Sequence, residues 1–117
     1  MIGELLAMQN QMRIFHWQTE SFAQHKAFGE AYEALDGLID KFVEIFQGKQ
    51  GIQKSSGGYR IKLDNLDDDP AAMIEVFIDY LKDELPGDLE DSDTDLLNIR
   101  DEMMGVLNQT KYLLLLK

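Results

Sequence analysis

From Phe28 to Phe46 the apolar residues return every third or fourth position: Phe28, Tyr32, Leu35, Ile39, Phe42 and Phe46. That rhythm marks one face of a helix, because a strand would alternate every second residue. The spacing predicts a helix over about Phe22 to Gln47, stopped by Gly48 and Gly51. At about 1.5 Å per residue it would be close to 40 Å long, which is long for a small domain.

Three further segments repeat the pattern. Leu5, Met8, Met12 and Phe15 predict a first helix over about Ile2 to Thr19, and Ser21 followed by Gln24 resembles a capping box after a break near Glu20. Asp69-Pro70 is a start signal for a third helix, with Met73, Phe77, Tyr80 and Leu81 inward and Pro86-Gly87 as the stop. A fourth begins near Ser92 or Asp93, carries Leu96, Ile99, Met103, Val106, Thr110 and Leu113 on one face, and is expected to reach the C-terminus. Between the second and third, Gly51 to Asp69 is the least helical stretch. Ser55-Ser56-Gly57-Gly58 is a turn signal, and Tyr59 to Leu63 alternates like a strand but has no partner. It is expected to loop across the end of the molecule. The sum is an all-α, up-down four-helix bundle, one domain over residues 1–117, with one longer loop between helices 2 and 3. Met8, Met12, Met73, Met103 and Met104 read as core fillers. The generous apolar sets, Leu113 to Leu116 above all, predict a subunit interface, with a homodimer as the smallest assembly.

Composition narrows the function classes. Twenty-two acidic residues stand against 11 basic ones, a net charge of −11. That weighs against a binder of nucleic-acid backbone or of anionic membranes, and agrees with cation binding or plain solubility. The sparse basic loop of Lys49, Lys54, Arg60 and Lys62 does not change this. Without cysteine there is no disulfide, thiol nucleophile or Cys-based zinc site, which fits a reducing compartment. The N-terminus lacks the basic start of a signal peptide, and Leu113 to Leu116 is too short to span a bilayer, so a soluble cytoplasmic protein is expected. Gly57-Gly58 lacks the context of a phosphate-binding P-loop, and no Ser/His/Asp order suggests a nucleophilic triad.

The two histidines are the most informative side chains. At roughly 100° per residue, His16 falls within roughly 20° of Leu5, on the apolar face of the first helix. On the second helix His25, Glu33, Asp36, Asp40 and Glu44 line one border of the apolar face, and Asp36, Asp40 and Glu44 stack on successive turns. A carboxylate stripe of this kind is most often a solvated edge, and an inward histidine most often makes one internal hydrogen bond. A bound cation would relieve the like-charge crowding, and so would exposure to water.

Taken together, Phe15-His16-Trp17, Phe22, His25, Asp40 and Glu44 resemble the ferroxidase signature of the Dps branch of the ferritin-like proteins. There a His-Trp pair ends the first helix, and a second His is followed by an Asp and a Glu 15 and 19 residues later, as Asp40 and Glu44 follow His25 here. The resemblance covers about residues 5 to 48. It implies a ferritin-like bundle with iron, or another divalent metal, at a homodimer interface, and possible ferroxidase chemistry. His16 and His25 would come from one chain and Asp40 and Glu44 from the other. The two histidines lie nine residues apart, about one turn closer than in that family. Gly29 stands where an acid is common, while Glu30 points elsewhere, so Asp36 is the candidate replacement ligand. With no basic tail and no clear short helix between helices 2 and 3, a 12-subunit shell is not expected. There is no Glu-x-x-His motif for a di-iron site inside one bundle. Trp17 is expected as an interface aromatic. The block from His16 to Gly48 also looks like small uncharacterised proteins of tailed phages. That sets beside the metal reading an alternative: a metal-free helical interaction protein, phage-encoded and acting in the host cytoplasm.

Overall fold

The longest helix sets the frame. A computed structural model describes all of residues 1–117 and contains α1 (Ile2–Gln18), α2 (Phe22–Gln50), α3 (Pro70–Asp79) and α4 (Thr94–Leu113), with no strand. The 29 residues of α2 make a rod of about 43 Å at ~1.5 Å each, and the longest dimension of the molecule is 43 Å. Gly48 does not stop this helix. A helical glycine costs about 1 kcal/mol relative to alanine but breaks nothing. The chain leaves only at Gly51, whose φ of +88° suits glycine and whose N–H still bonds Gln47 O.

The α1–α2 corner is capped by a relay and not by a direct capping box. Ser21 Oγ accepts from Gln24 N–H as expected. The Gln24 side chain, however, accepts from Thr19 Oγ1, and Thr19 Oγ1 accepts from Ser21 N–H. At the start of α3, Asp69 accepts from Ala72 N–H ahead of Pro70, the expected signal. Beyond α3 the chain winds through a π-helical turn (Tyr80–Glu84) and a 3-10 turn (Leu85–Asp88). The wide turn bonds Leu85 N–H to Tyr80 O, and Arg100 Nη1 on α4 donates to Leu81 O.

Helix directions follow from which side chains meet. The Gln9–Asp36 hydrogen bond and the His16–His25 contact make α1 and α2 antiparallel. The Lys49–Asp93 and Lys111–Glu75 pairs make α4 antiparallel to both α2 and α3. The course is therefore up, down, down, up. The segment from Gly51 to Asp69 does not cross an end of the bundle; it runs along α1, from beside Met1 and Gly3 to beside Gln18. Two glutamines of α1 fasten it. Gln11, 1% exposed, donates to Asp64 O and accepts from Asp64 N–H, each at 2.8 Å. Gln18 accepts from Leu66 N–H and donates to Asn65 Oδ1. These side-chain amides give the strap's backbone the partners a sheet would have supplied.

A core of 17 residues fills the interior, with Phe15, Phe28 and Phe42 among its largest members. α3 presents Ile74 and Ile78 to it, continued by Leu81 and Leu85, while Met73, Phe77 and Tyr80 are half-buried. The expected face was thus one residue off, because Met73 to Leu81 is apolar enough to carry two overlapping stripes. α4 stops at Leu113, so Leu115 and Leu116 stand exposed and do not extend the helix to the last residue. No helix is long and apolar enough to cross a membrane.

Candidate functional site at the α1–α2 corner

The histidines meet where α1 turns into α2. Their rings stack face to face, with centroids 3.8 Å apart and planes 17° from parallel. Each ring is fixed by the other's main chain: His16 Nδ1 donates to His25 O at 2.6 Å, and His25 Nδ1 donates to His16 O at 2.8 Å. A carbonyl oxygen only accepts, so both Nδ1 atoms carry their proton and Nε2 is the free nitrogen of each ring. His16 O belongs to the last turn of α1, where carbonyls have no intrahelical partner, so His25 acts as its cap.

Gly29 makes this arrangement possible. A Cβ there would lie 2.9 Å from both Cε1 and Nδ1 of His16. Gly29 thus leaves the space that the imidazole occupies. Beneath the pair, Phe15 and Phe28 pack at 5.4 Å between centroids. Beside it, the Arg13 guanidinium lies 3.6 Å over the Tyr32 ring and 5.4 Å from Trp17.

The five sequence-derived site residues do not gather in one chain. Asp36 is held by Gln9, which donates to it at 2.6 Å. Asp40 pushes the neighbouring Glu44 carboxyl above its ordinary value, by the hydrogen bond the two can make once one is protonated and by like-charge repulsion. Asp40 and Glu44 lie 15 and 19 residues along α2 from His25, about 22 and about 28 Å away. Nor do the two rings converge: lone pairs lie in the ring planes, so stacked imidazoles direct them side by side, not at one ion. No group of three or more His, Cys, Asp or Glu side chains comes together to hold a metal.

Exposed apolar side chains surround the corner, among them Trp17 and the tail leucines expected at an interface. Phe22 is 80% exposed and Trp17 64%. The C-terminal tail arrives at the same end, where Leu113, Leu116 and Lys117 line a shallow cleft with Ala23, Lys26 and Ala27. Leu115, 78% exposed, and Tyr112 extend the apolar surface. Elsewhere one buried polar atom lacks a partner: Tyr80 Oη, whose burial, with Glu4, Asp88 and Glu84 nearby, pushes its ionisation well up. Gly29, Gln9, Gln11 and Gln18 were not singled out from sequence as structural residues. A glycine inside an amphipathic helix opposite an inward histidine was the available signal for the first.

The chain is similar to an uncharacterised 14.6 kDa protein encoded in the mobD-ri intergenic region of Enterobacteria phage T4, 29% identical over 116 residues, which cover 99% of this chain and 86% of that protein. The phage half of the sequence resemblance has a counterpart here, and the Dps half has none. No solved structure matches. A family model matches residues 16–114, from the first histidine of the corner to the end of α4, and the chain belongs to that family, a family of unknown function (DUF5856).

Proposed function

We propose that the chain is a phage-encoded helical-bundle interaction protein that works through the apolar end of its bundle. The observation that carries this reading is that five of the nine exposed large apolar side chains, Trp17, Phe22, Tyr112, Leu115 and Leu116, stand at one end of the molecule, the other four being Ile52, Tyr59 and Ile61 on the strap and Val76 on α3. Clustered apolar surface of this kind marks contact sites more often than chance exposure does. A second copy of the chain is the first partner to test, and a homodimer is the expected unit. Light scattering over a concentration series should give twice the chain mass at micromolar concentration. Phe22→Ser with Leu115→Ser should give the monomer mass with an unchanged helix content by circular dichroism, since neither side chain is in the core. A wild-type monomer at every concentration removes self-association and leaves a different protein as the partner.

One observation supports a second reading, the His/carboxylate site for iron or another divalent ion at a dimer interface. Both Nδ1 atoms are taken by carbonyls, the way metal-ligating imidazoles are usually held, and this leaves Nε2 as the ligand atom. The donor types suit Fe(II). Within one chain they do not complete a site, so the reading needs the partner subunit's Asp40 and Glu44. It also needs the stacked rings to part.

A further inference from the structure

A second cleft lies at the other end of the molecule. It has a volume of about 540 Å³, within the roughly 300–1,000 Å³ common for small-molecule sites. Ile2 and Phe46 give it an apolar lining, and the strap between α2 and α3 supplies Tyr59 with Lys54, Ser55 and Arg60.

The basic residues of the strap, and of the end of α2 that leads into it, divide in two. Lys49 is held by Asp93 and Asp95, and Lys62 lies 3.5 Å from Asp64. Lys54 and Arg60 have no carboxylate within ion-pair distance, and these are the two that line the cleft. Lys54 and Arg60 are therefore two cations on the lining of one concave surface, neither of them neutralised by an ion pair. Of the two carboxylates on the rim, Glu4 is engaged by the amino group of Met1, and Asp88 forms no ion pair. Ser55 and Gly58 close a turn, Gly58 N–H to Ser55 O, with Gly57 and Gly58 at φ +77° and +84°. Side-chain-free residues at the turn let an approaching ligand reach the backbone.

We propose that this cleft binds a small phosphorylated molecule with a flat apolar part, of the nucleoside monophosphate class, its phosphate held by Lys54 and Arg60. The guanidinium fork matches two phosphate oxygens, the ammonium adds a point charge, and the Tyr59 side of the cleft takes the flat portion. Nucleic-acid chains are not the occupant, because the charge outside the cleft is strongly negative.

The test is calorimetric titration of the full chain with inorganic phosphate, then adenosine and adenosine monophosphate, at low and at moderate salt. The monophosphate should bind most tightly, phosphate more weakly and with the same salt dependence, and adenosine least. Arg60→Ala and Lys54→Ala should each weaken the monophosphate about tenfold, the size expected for one charge-assisted hydrogen bond. Asp88→Asn should tighten it by removing a like charge from the rim, and Lys62→Ala, on the strap but outside the cleft, should leave it unchanged. Adenosine binding as well as its monophosphate would overturn the phosphate assignment. Lys62→Ala weakening binding as much as Arg60→Ala would reduce the effect to general surface charge, and no heat from any ligand at 10 mM would remove the site.

Discussion

The two ends of this bundle are tied in different ways. At one, Lys49 at the end of α2 reaches Asp93 and Asp95 at the start of α4, and charge does the work. At the other, α1 turns into α2 without an ion pair between them; two imidazoles hold each other's backbone, and a missing Cβ makes room. Charge ties tolerate displacement, because ammonium and carboxylate attract over a range of distances. Ring-to-carbonyl ties need one geometry and fail when a few tenths of an ångström are taken away. The first end should answer to salt and pH, and the second to shape.

Gly29→Ala tests shape and has the largest expected effect. The added methyl meets His16 at 2.9 Å, so the ring must leave its carbonyl and the stack must open. The clash, with the loss of the hydrogen bond and of the ring stack, outweighs the better helix propensity of alanine, for a net destabilisation of about 1–2 kcal/mol in urea unfolding. Gly105→Ala, also helical but in open space, should stabilise by about 0.5–1 kcal/mol. In a His16→Ala background the Gly29→Ala penalty should vanish and take the sign of Gly105→Ala. A penalty that survives the removal of His16 would mean that the glycine serves something other than the imidazole.

The charged end should give a smaller effect with a definite pH signature. Lys49 holds the Asp93 and Asp95 carboxyls below the ordinary value of 3.8. An acid whose folded-state pKa is lowered adds stability above its unfolded value, and that stability is lost as pH falls through the folded value. Wild type should therefore melt above Lys49→Met by a constant, modest margin from pH 7 to about pH 4. The margin should shrink below that and narrow again in high salt. A margin that ignores both pH and salt would show that the Lys49 stem packs and its charge is idle.

How much of this was legible follows from what each feature depends on. Helix faces depend on spacing, so Leu5–Phe15 and Phe28–Phe42 could be read directly, as could the Asp69-Pro70 start. α3 was rotated by one residue because two stripes overlap there. The path of the strap depends on which α1 side chains it meets, and Gln11 and Gln18 look like ordinary polar residues until the chain folds back on them. At the corner, the residue types were visible but their use was not. One internal hydrogen bond for an inward histidine is the ordinary expectation; that His16 and His25 each bond the other's main chain depends on the empty space at Gly29, which spacing does not show.

Asp40→Asn should have the smallest effect, and its sign separates the readings of α2's acidic edge. Asp40 raises the Glu44 carboxyl above its ordinary 4.5, chiefly through their hydrogen bond. For an acid raised in the folded state, the favourable contribution is present at low pH and is lost as pH rises through the folded value. At pH 7 both groups are charged and repel, so Asp40→Asn should raise the melting temperature slightly, and the gain should disappear near pH 4. On an interaction protein with a solvated edge, adding Zn(II) or Mn(II) should change nothing in this comparison. If the pair serves a metal across a dimer, the ion binds the folded dimer and stabilises it by mass action, and removing Asp40 forfeits that gain. Asp40→Asn would then melt above wild type without metal and below it with metal. His25→Ala should abolish the metal-dependent shift just as fully, although it lies at the far end of α2. A shift that Asp40→Asn abolishes and His25→Ala spares would leave the carboxylates as an isolated weak cation site and detach the histidine corner from metal altogether.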